Sequence, residues 1–150
     1  MMYKTHMAFG VLLGLIAMEY FDVNKYMFIG AAVFGSLFVD VDEASSYMGK
    51  RTWPVSNMVE LFFGHRGIFH SIWMAGLIFL GFYLFGLLNI GIGFLIGYGS
   101  HLIADMMTVE GVRIFYPLSK FSIRGFARTD GIFEKIFFTL VLLAIGYRLV

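Results

Sequence analysis

Apolar residues along this chain gather into five runs that are separated by short turns or longer polar stretches. The runs have no visible polar face, and helices that are apolar on all sides are typical of membrane-embedded segments. They cover residues 6–20, 26–39, 68–88, 92–107 and 131–149. This pattern predicts an all-α, polytopic membrane helix bundle, formed by a single integral-membrane domain over residues 1–150.

The first two runs are short for membrane helices. Residues 6–20 and 26–39 give roughly 22 Å of helix each, against a hydrocarbon core of roughly 30 Å. We therefore expect this hairpin either to begin below the membrane surface or to thin the bilayer locally. Residues 68–88 are long enough to cross, and Asn89 with Gly91 predicts a tight turn before the fourth run.

Composition supports a membrane protein and narrows the chemistry. The chain is 59% hydrophobic and 14% charged, with a mean hydropathy of +0.81, whereas soluble domains are about 45–50% apolar and about 25% charged. A net charge of +1 gives no field that would favour nucleic acid. Cysteine is absent, so any metal must be held by His, Asp and Glu, which suits zinc, manganese or iron.

Five crossings would place residues 40–67 and 108–130 on the same side as the N-terminus. The turns at 21–25 and 89–91 would lie on the other side with the C-terminus. Nine of the eleven Lys and Arg residues fall on the first side: Lys4, Lys50, Arg51, Arg66, Arg113, Lys120, Arg124, Arg128 and Lys135. The positive-inside rule makes this side cytoplasmic, so we predict a multi-pass protein of the cytoplasmic membrane.

The residues with the clearest chemistry lie towards that cytoplasmic side. His101 and Asp105 stand one turn apart on one helix face, where they can share a metal ion or a proton. Ionisable groups are costly in membrane helices, which favours a functional role over a His–Asp pair that only joins two helices. The predicted topology gathers seven candidate metal ligands in one layer: His6, Asp40, Asp42, His65, His70, His101 and Asp105. These donors are enough for two divalent ions, with zinc first and manganese or iron as alternatives.

Several short motifs run through the whole chain. They are Thr5-His6, Asp40-x-Asp42, His65-Arg66-Gly67-x-x-His70-Ser71, Gly97-Tyr98-x-Ser100-His101-Leu102-x-x-Asp105-x-x-Thr108-x-x-Gly111-Val112, and Tyr116-Pro117. Together they resemble the YdjM-like, LexA-regulated family of membrane-bound metal-dependent hydrolases. The chain departs from that family at Glu43, which follows Asp42 where the family usually has a histidine.

The resemblance implies a metal-dependent hydrolase, facing the cytoplasm, and we predict a membrane lipid or lipid-linked phosphoester as its substrate. A metal-activated water would attack the phosphorus, with Glu43 as general base and Arg66 or Arg124 stabilising the developing charge. We expect Ser71 and Ser100 to orient ligands rather than to act as nucleophiles.

Two alternatives from other classes remain open at this stage. A metal transporter or sensor needs ligands near the bilayer midplane and a path to the far side, but the far half carries no ionisable residue inside a helix apart from Glu19 near an end. A non-catalytic membrane scaffold would use His and Asp as contacts between helices and would bind no metal.

Glu134 is a further candidate ligand, or an ion-pair partner for Lys135 or Arg128. The oligomeric state is left open.

Overall fold

The computed structural model describes residues 1–42, 46–54, 58 and 67–150. Within these ranges the chain forms α-helices joined by turns, with two isolated β-bridges and no β-strand, which confirms the all-α prediction. The helices are α1 (Tyr3–Ala17), α2 (Lys25–Phe38), α3 (Tyr47–Arg51), α4 (Ile72–Leu84), α5 (Leu88–Met106) and α6 (Ile132–Leu149). Among the residues described, no helix combines the length and the apolarity that a membrane crossing requires.

Each of the five predicted apolar runs corresponds to one of the helices α1, α2, α4, α5 and α6. Helix α4 begins four residues later than the run 68–88 to which it belongs. Ile68–His70 forms a 3-10 turn, and Ser71 then caps α4 by accepting a hydrogen bond from the backbone N–H of Met74 at 3.4 Å. The consequence is that His70 lies in a turn in front of α4 rather than inside a helix.

The turn between α4 and α5 lies earlier than predicted. Gly86 has a φ of +71°, a left-handed conformation that glycine adopts without steric cost, and its N–H donates to the carbonyl of Tyr83 at 3.0 Å. The prediction of a turn at Asn89 and Gly91 was wrong, because α5 begins at Leu88 and includes both. Gly91 serves packing instead, since a Cβ there would lie 2.7 Å from the Cβ of Phe82 on α4.

Helices α2 and α5 pack with their backbones in contact. A Cβ on Gly97 would overlap the carbonyl oxygen of Ala32, and a Cβ on Gly35 would overlap the carbonyl oxygen of Phe94. Small residues such as these glycines allow the backbones of two helices to approach closely, because no side chain stands between them. The relative position of the two helices is therefore set by backbone contacts.

Glu134 joins the start of α6 to the start of α1. Its carboxylate is fully buried and accepts hydrogen bonds at 2.7 Å from the N–H of Met2, the hydroxyl of Thr5 and the N–H of Asp130. Its expected partner Lys135 instead pairs with Asp130 at 3.4 Å. Glu134 therefore stabilises the contact between two helix N-termini.

The opposite end of the bundle collects the segments that the topology placed on the second side. Arg148 at the end of α6 donates a hydrogen bond to the carboxylate of Glu19, just after α1. Asn24 before α2 and Asn89 at the start of α5 line one common hollow. These turns therefore lie at the same end of the bundle as the C-terminus.

Candidate metal centre

The cluster is built around α5, where His101 and Asp105 face the same way as predicted. The Nε2 atom of His101 lies 3.5 Å from Oδ2 of Asp105, and both side chains are buried. His6 on α1 stacks on His101 with ring centroids 3.8 Å apart, and its Nε2 lies 3.4 Å from Oδ1 of Asp105. The Met1 ammonium group lies 2.9 Å from the same oxygen.

His70 enters the cluster from the turn in front of α4. Its Nε2 lies 3.6 Å from Oδ2 of Asp105, and its ring meets that of His101 edge-on at 5.3 Å. Its other nitrogen, Nδ1, lies 3.2 Å from Oδ2 of Asp42. The same Asp42 oxygen accepts a hydrogen bond from the N–H of Gly67 at 3.2 Å, which ties the His70 turn to the end of α2.

Asp40 supplies the carboxylate that follows α2. It lies in the 3-10 turn Val39–Asp42, and its Oδ1 is 3.5 Å from Nε2 of His101. The Asp40 side chain keeps 12% of its surface exposed, whereas those of His70 and His101 keep 0%. Asp40 is therefore the more exposed member of its donor group.

The structure brings five of the seven predicted ligands into two groups of potential metal donors. These are His6, His101 and Asp105 in one group, and Asp40, His70 and His101 in the other, with the donor atoms of each group within 4.8 Å of one another. Asp42 lies beside the second group through its contact with His70. His65 lies outside the described residues.

The imidazoles of His70 and His101 are oriented in the way metal-binding histidines usually are. Nδ1 of His101 lies 2.7 Å from the carbonyl oxygen of Ser36, and because a carbonyl only accepts, Nδ1 carries a proton and Nε2 is the nitrogen that faces the carboxylates of Asp40 and Asp105. Nδ1 of His70 faces Asp42 in the same manner. A ligating His typically donates its other N–H to a backbone carbonyl or a carboxylate.

The inward-facing donor atoms fit a divalent metal. Within the described part of the chain, Nε2 of His70 and of His101 make no hydrogen bond, and a buried polar atom without a partner costs about 1–3 kcal/mol. The donor separations of 3.4–3.6 Å compare with about 3.4 Å between neighbouring ligands of a tetrahedral zinc ion. Imidazole with carboxylate is also a donor set that zinc, manganese and iron accept.

Of the three predicted catalytic residues, Arg124 is the one that lies in the described part of the chain. Glu43 and Arg66 fall outside the described residues. Arg124 is exposed and lines a separate cavity with Arg113 in the stretch that follows α5. A role for Arg124 in charge stabilisation therefore stays a prediction.

The hydroxyls of the two serines in the motifs donate hydrogen bonds to nearby backbone carbonyls. The hydroxyl of Ser71 donates to the carbonyl of Ile68, and that of Ser100 donates to the carbonyl of Gly97, each at 2.6 Å. The expectation that these hydroxyls orient ligands was wrong, because each is taken up by a carbonyl three residues earlier.

Sequence reasoning missed a positioning contact made by Tyr98. Its hydroxyl donates to the carbonyl of Phe69 and lies 3.1 Å from the carbonyl of Ser71, so it holds the residues on both sides of His70. The signal was present in the sequence, since a tyrosine three residues before His101 is a polar group on an otherwise apolar helix. The carbonyl of Ser36 had no such signal, because every residue carries one.

Comparison with known proteins identifies relatives over most of the chain. Residues 1–149 match the family described as YdjM inner membrane protein. The uncharacterized protein YvsG of Bacillus subtilis (strain 168) is 30% identical over 115 residues, which cover 76% of this chain and 72% of that protein. No solved structure matches.

The inner membrane protein YdjM of Escherichia coli (strain K12), like that of Shigella flexneri, is 33% identical over 95 residues, or 59% of this chain. The alignment covers 48% of those proteins, so the chain spans about half the length of these YdjM relatives. The names of these relatives support a membrane location. With a match over nearly its whole length, the chain belongs to the YdjM inner membrane protein family.

Proposed function

We propose that this protein is a membrane-bound metal-dependent hydrolase that acts on a phosphoester of a lipid or lipid-linked substrate. The observation that carries the proposal is the convergence of Nε2 of His70 and His101 on Asp40 and Asp105 in a buried site. Each imidazole is held by a partner on its outer nitrogen, as expected for metal ligands rather than for simple helix contacts.

The residues divide into those that hold a metal and those that orient the holders. His101 would hold a divalent ion, zinc by first preference, either together with Asp40 and His70 or together with His6 and Asp105. Such an ion supplies Lewis acidity and makes water nucleophilic at neutral pH. The Asp42 carboxylate and the Ser36 carbonyl keep the two imidazoles in place.

We assign substrate access and proton transfer to the side of the metal cluster on which Asp40 lies. Because the Asp40 carboxylate is 12% exposed, it is placed to accept a hydrogen bond from a water that approaches the cluster. Glu43 follows Asp42 directly in the sequence, and we propose it as the base that takes the proton of that water.

A location inside the membrane is supported by the outer surface of the bundle. Large apolar side chains on α4 and α6 are exposed, among them Leu77 at 64%, Leu84 at 73% and Leu143 at 66%. Exposed apolar surface of this extent marks contact with a membrane or another protein. We propose that the helices sit in the cytoplasmic membrane as a multi-pass bundle, with the metal cluster at its cytoplasmic face.

The metal content of detergent-purified protein tests the centre. Wild type should hold divalent metal after purification without chelators or after reloading, and His101→Ala should lose it. Phe94→Leu on the same helix is the matched control, because Phe94 is equally buried but contributes no donor atom. Full metal occupancy in His101→Ala would contradict the assignment of the ligands.

Hydrolysis is tested separately on the metal-loaded wild type. Mixed micelles containing phosphatidic acid, phosphatidylglycerol or a polyprenyl diphosphate should release phosphate or a soluble head group with at least one of these lipids. A protein that holds metal in a His101-dependent way but cleaves none of them would keep the metal centre and contradict the phosphoester hydrolase.

A scaffold without chemistry is the second candidate, favoured by one observation. The stacked rings of His6 and His101 and the Asp40–His101 contact join α1, the end of α2 and α5 directly. This candidate requires that wild type bind no metal even after reloading, so the same metal measurement separates it from the hydrolase.

A further inference from the structure

We propose that a second site, the cavity formed by residues 109–113 with Ser122 and Arg124, binds a phosphate group. The cavity measures about 290 Å³, and none of its lining residues belongs to the two groups of metal donors. The binding itself does not depend on the proposed hydrolase function, since it uses arginine side chains and needs no metal.

Backbone pairing puts the polar side chains of this cavity on one face. Val112 and Ile123 form an antiparallel bridge with both hydrogen bonds at 2.9 Å, and Val112 is 1% exposed in the hydrophobic core. Side chains alternate across extended backbone, so the neighbours Arg113, Ser122 and Arg124 face away from the core. The bridge thereby places Arg113 and Arg124 on the same face of the pair, where both line the cavity.

Gly111 shapes the floor of the cavity. Its φ of +69° suits glycine, and a Cβ at this position would overlap the carbonyl oxygen of Ile123 and Cγ of Arg124. The missing side chain lets the stem of Arg124 lie directly on the backbone of Gly111. The start of the Arg124 side chain is therefore held against the loop.

Arg113 and Arg124 bring two positive charges to a cavity that is also lined by the carboxylate of Glu110. Neither Arg113 nor Arg124 forms an ion pair in this part of the chain, and Arg124 donates from Nε to Ser122 Oγ at 3.4 Å. Both side chains are exposed, so their remaining N–H groups can reach a ligand. Paired arginines recognise phosphate oxygens by two-pronged hydrogen bonds.

Thr108 connects this cavity to the metal cluster. Its hydroxyl donates to the carbonyl of Asp105 at 2.8 Å and accepts from the N–H of Gly111 at 3.2 Å. A phosphate held by the arginines is thus anchored one turn beyond the helix end that carries Asp105. Such a site recognises an anionic group without cleaving it.

The experiment compares two double variants that remove equal charge from the same stretch. Arg113→Gln/Arg124→Gln removes the cavity arginines, and Lys120→Gln/Arg128→Gln is the control, because both of its residues are exposed and outside the cavity. Binding is measured in two arms: phosphatidylglycerol against phosphatidylcholine in nanodiscs, and inorganic phosphate or glycerol 3-phosphate in a neutral detergent.

The cavity variant should bind the phosphate-bearing probe about tenfold more weakly or worse, and the control should bind like wild type. An effect confined to phosphatidylglycerol identifies a lipid head group, and an effect confined to the soluble probes identifies a soluble phosphoester. Equal losses in both variants, or no binding by wild type in either arm, would overturn the proposal. Metal content measured on the same samples should stay unchanged, which separates this site from the metal centre.

Discussion

The Nδ1 atom of His101 lies 2.7 Å from the carbonyl oxygen of Ser36 on the neighbouring helix. The contact fixes both the proton and the ring plane of the imidazole that belongs to both donor groups. It depends on the distance between α2 and α5, which is set where glycines bring the two backbones together. Metal binding and helix packing are therefore linked in this protein.

Substituting Gly97 by alanine should test that link. The new Cβ would overlap the carbonyl oxygen of Ala32 and force α2 away from α5, lowering the free energy of unfolding by about 3 kcal/mol and reducing bound metal. Gly99→Ala on the same helix is the control, because a Cβ there meets nothing within 4 Å. It should be neutral or stabilise by up to about 1 kcal/mol. Chemical unfolding in micelles and elemental analysis measure both effects, and equal behaviour of the two variants would contradict the link.

Asp42 should tune metal affinity without being required for folding. Replacing it with alanine removes the acceptor that faces Nδ1 of His70, and such outer contacts typically change metal affinity by about 10–100-fold. Asp42→Asn, which keeps an acceptor oxygen, should fall nearer the lower limit. Competition with a chelating dye measures the affinity. Asp22→Asn, at an exposed aspartate, should leave it unchanged, and an unchanged affinity in Asp42→Ala would remove Asp42 from the centre.

The Tyr98 hydroxyl should matter for metal binding through His70. Tyr98→Phe keeps the buried ring but removes the hydrogen bond to the carbonyl of Phe69, at a cost of about 1–3 kcal/mol in the free energy of unfolding. We expect weaker metal binding as well, since the turn that carries His70 loses its anchor. Tyr83→Phe, at a 60% exposed tyrosine on α4, is the control. A loss of stability with full metal affinity would show that Tyr98 only supports the fold.

Replacing Glu134 should lower the stability of the protein and leave its metal binding unchanged. Glu134→Gln replaces one acceptor oxygen with an amide that opposes an N–H donor, so stability should fall by about 1–3 kcal/mol. Metal stoichiometry should not change, because Glu134 belongs to neither donor group. Lys135→Gln breaks an ion pair whose side chains are 59% and 67% exposed, and it should have little effect on either quantity. Loss of metal in a folded Glu134→Gln protein would make Glu134 a ligand after all.

The proposed membrane topology can be read with single cysteines, because the chain contains none of its own. Lys25→Cys and Lys120→Cys place a thiol at an exposed position on the two predicted sides. A membrane-impermeant maleimide should label the Lys25 variant in intact cells and the Lys120 variant only in inverted vesicles. Labelling of both variants from the same side would contradict the multi-pass arrangement.

The sequence was sufficient to predict most of the cluster and all of the described α-helices except α3, which lies in a polar stretch. Apolar runs mark these helices, and His6, His70 and His101 could be assigned to one layer because each lies towards the predicted cytoplasmic end of its run. The exact positions of turns were less accessible, as Gly91 shows: glycine signals a turn and a close helix contact equally, and only the neighbouring Phe82 decides between them.

Groups that act through the backbone could not be predicted. The carbonyl of Ser36 has no residue type that distinguishes it, and its role depends on the distance between two helices. Ser71 and Ser100 show the opposite error, since their side chains suggested hydrogen bonds to ligands but reach carbonyls of their own turn first. Local bonds of this kind compete with any longer-range partner.

Because Nδ1 of His101 is engaged by Ser36, this residue has a single lone pair to give, although it belongs to both donor groups. One nitrogen cannot bind two cations at once, so the two groups are mutually exclusive positions for an ion held by His101. Titration of metal-free protein should therefore reach a first plateau at one equivalent. A second equivalent would have to draw on His6, Asp105 and donors from elsewhere in the chain, such as His65, and would bind more weakly against the charge of the first.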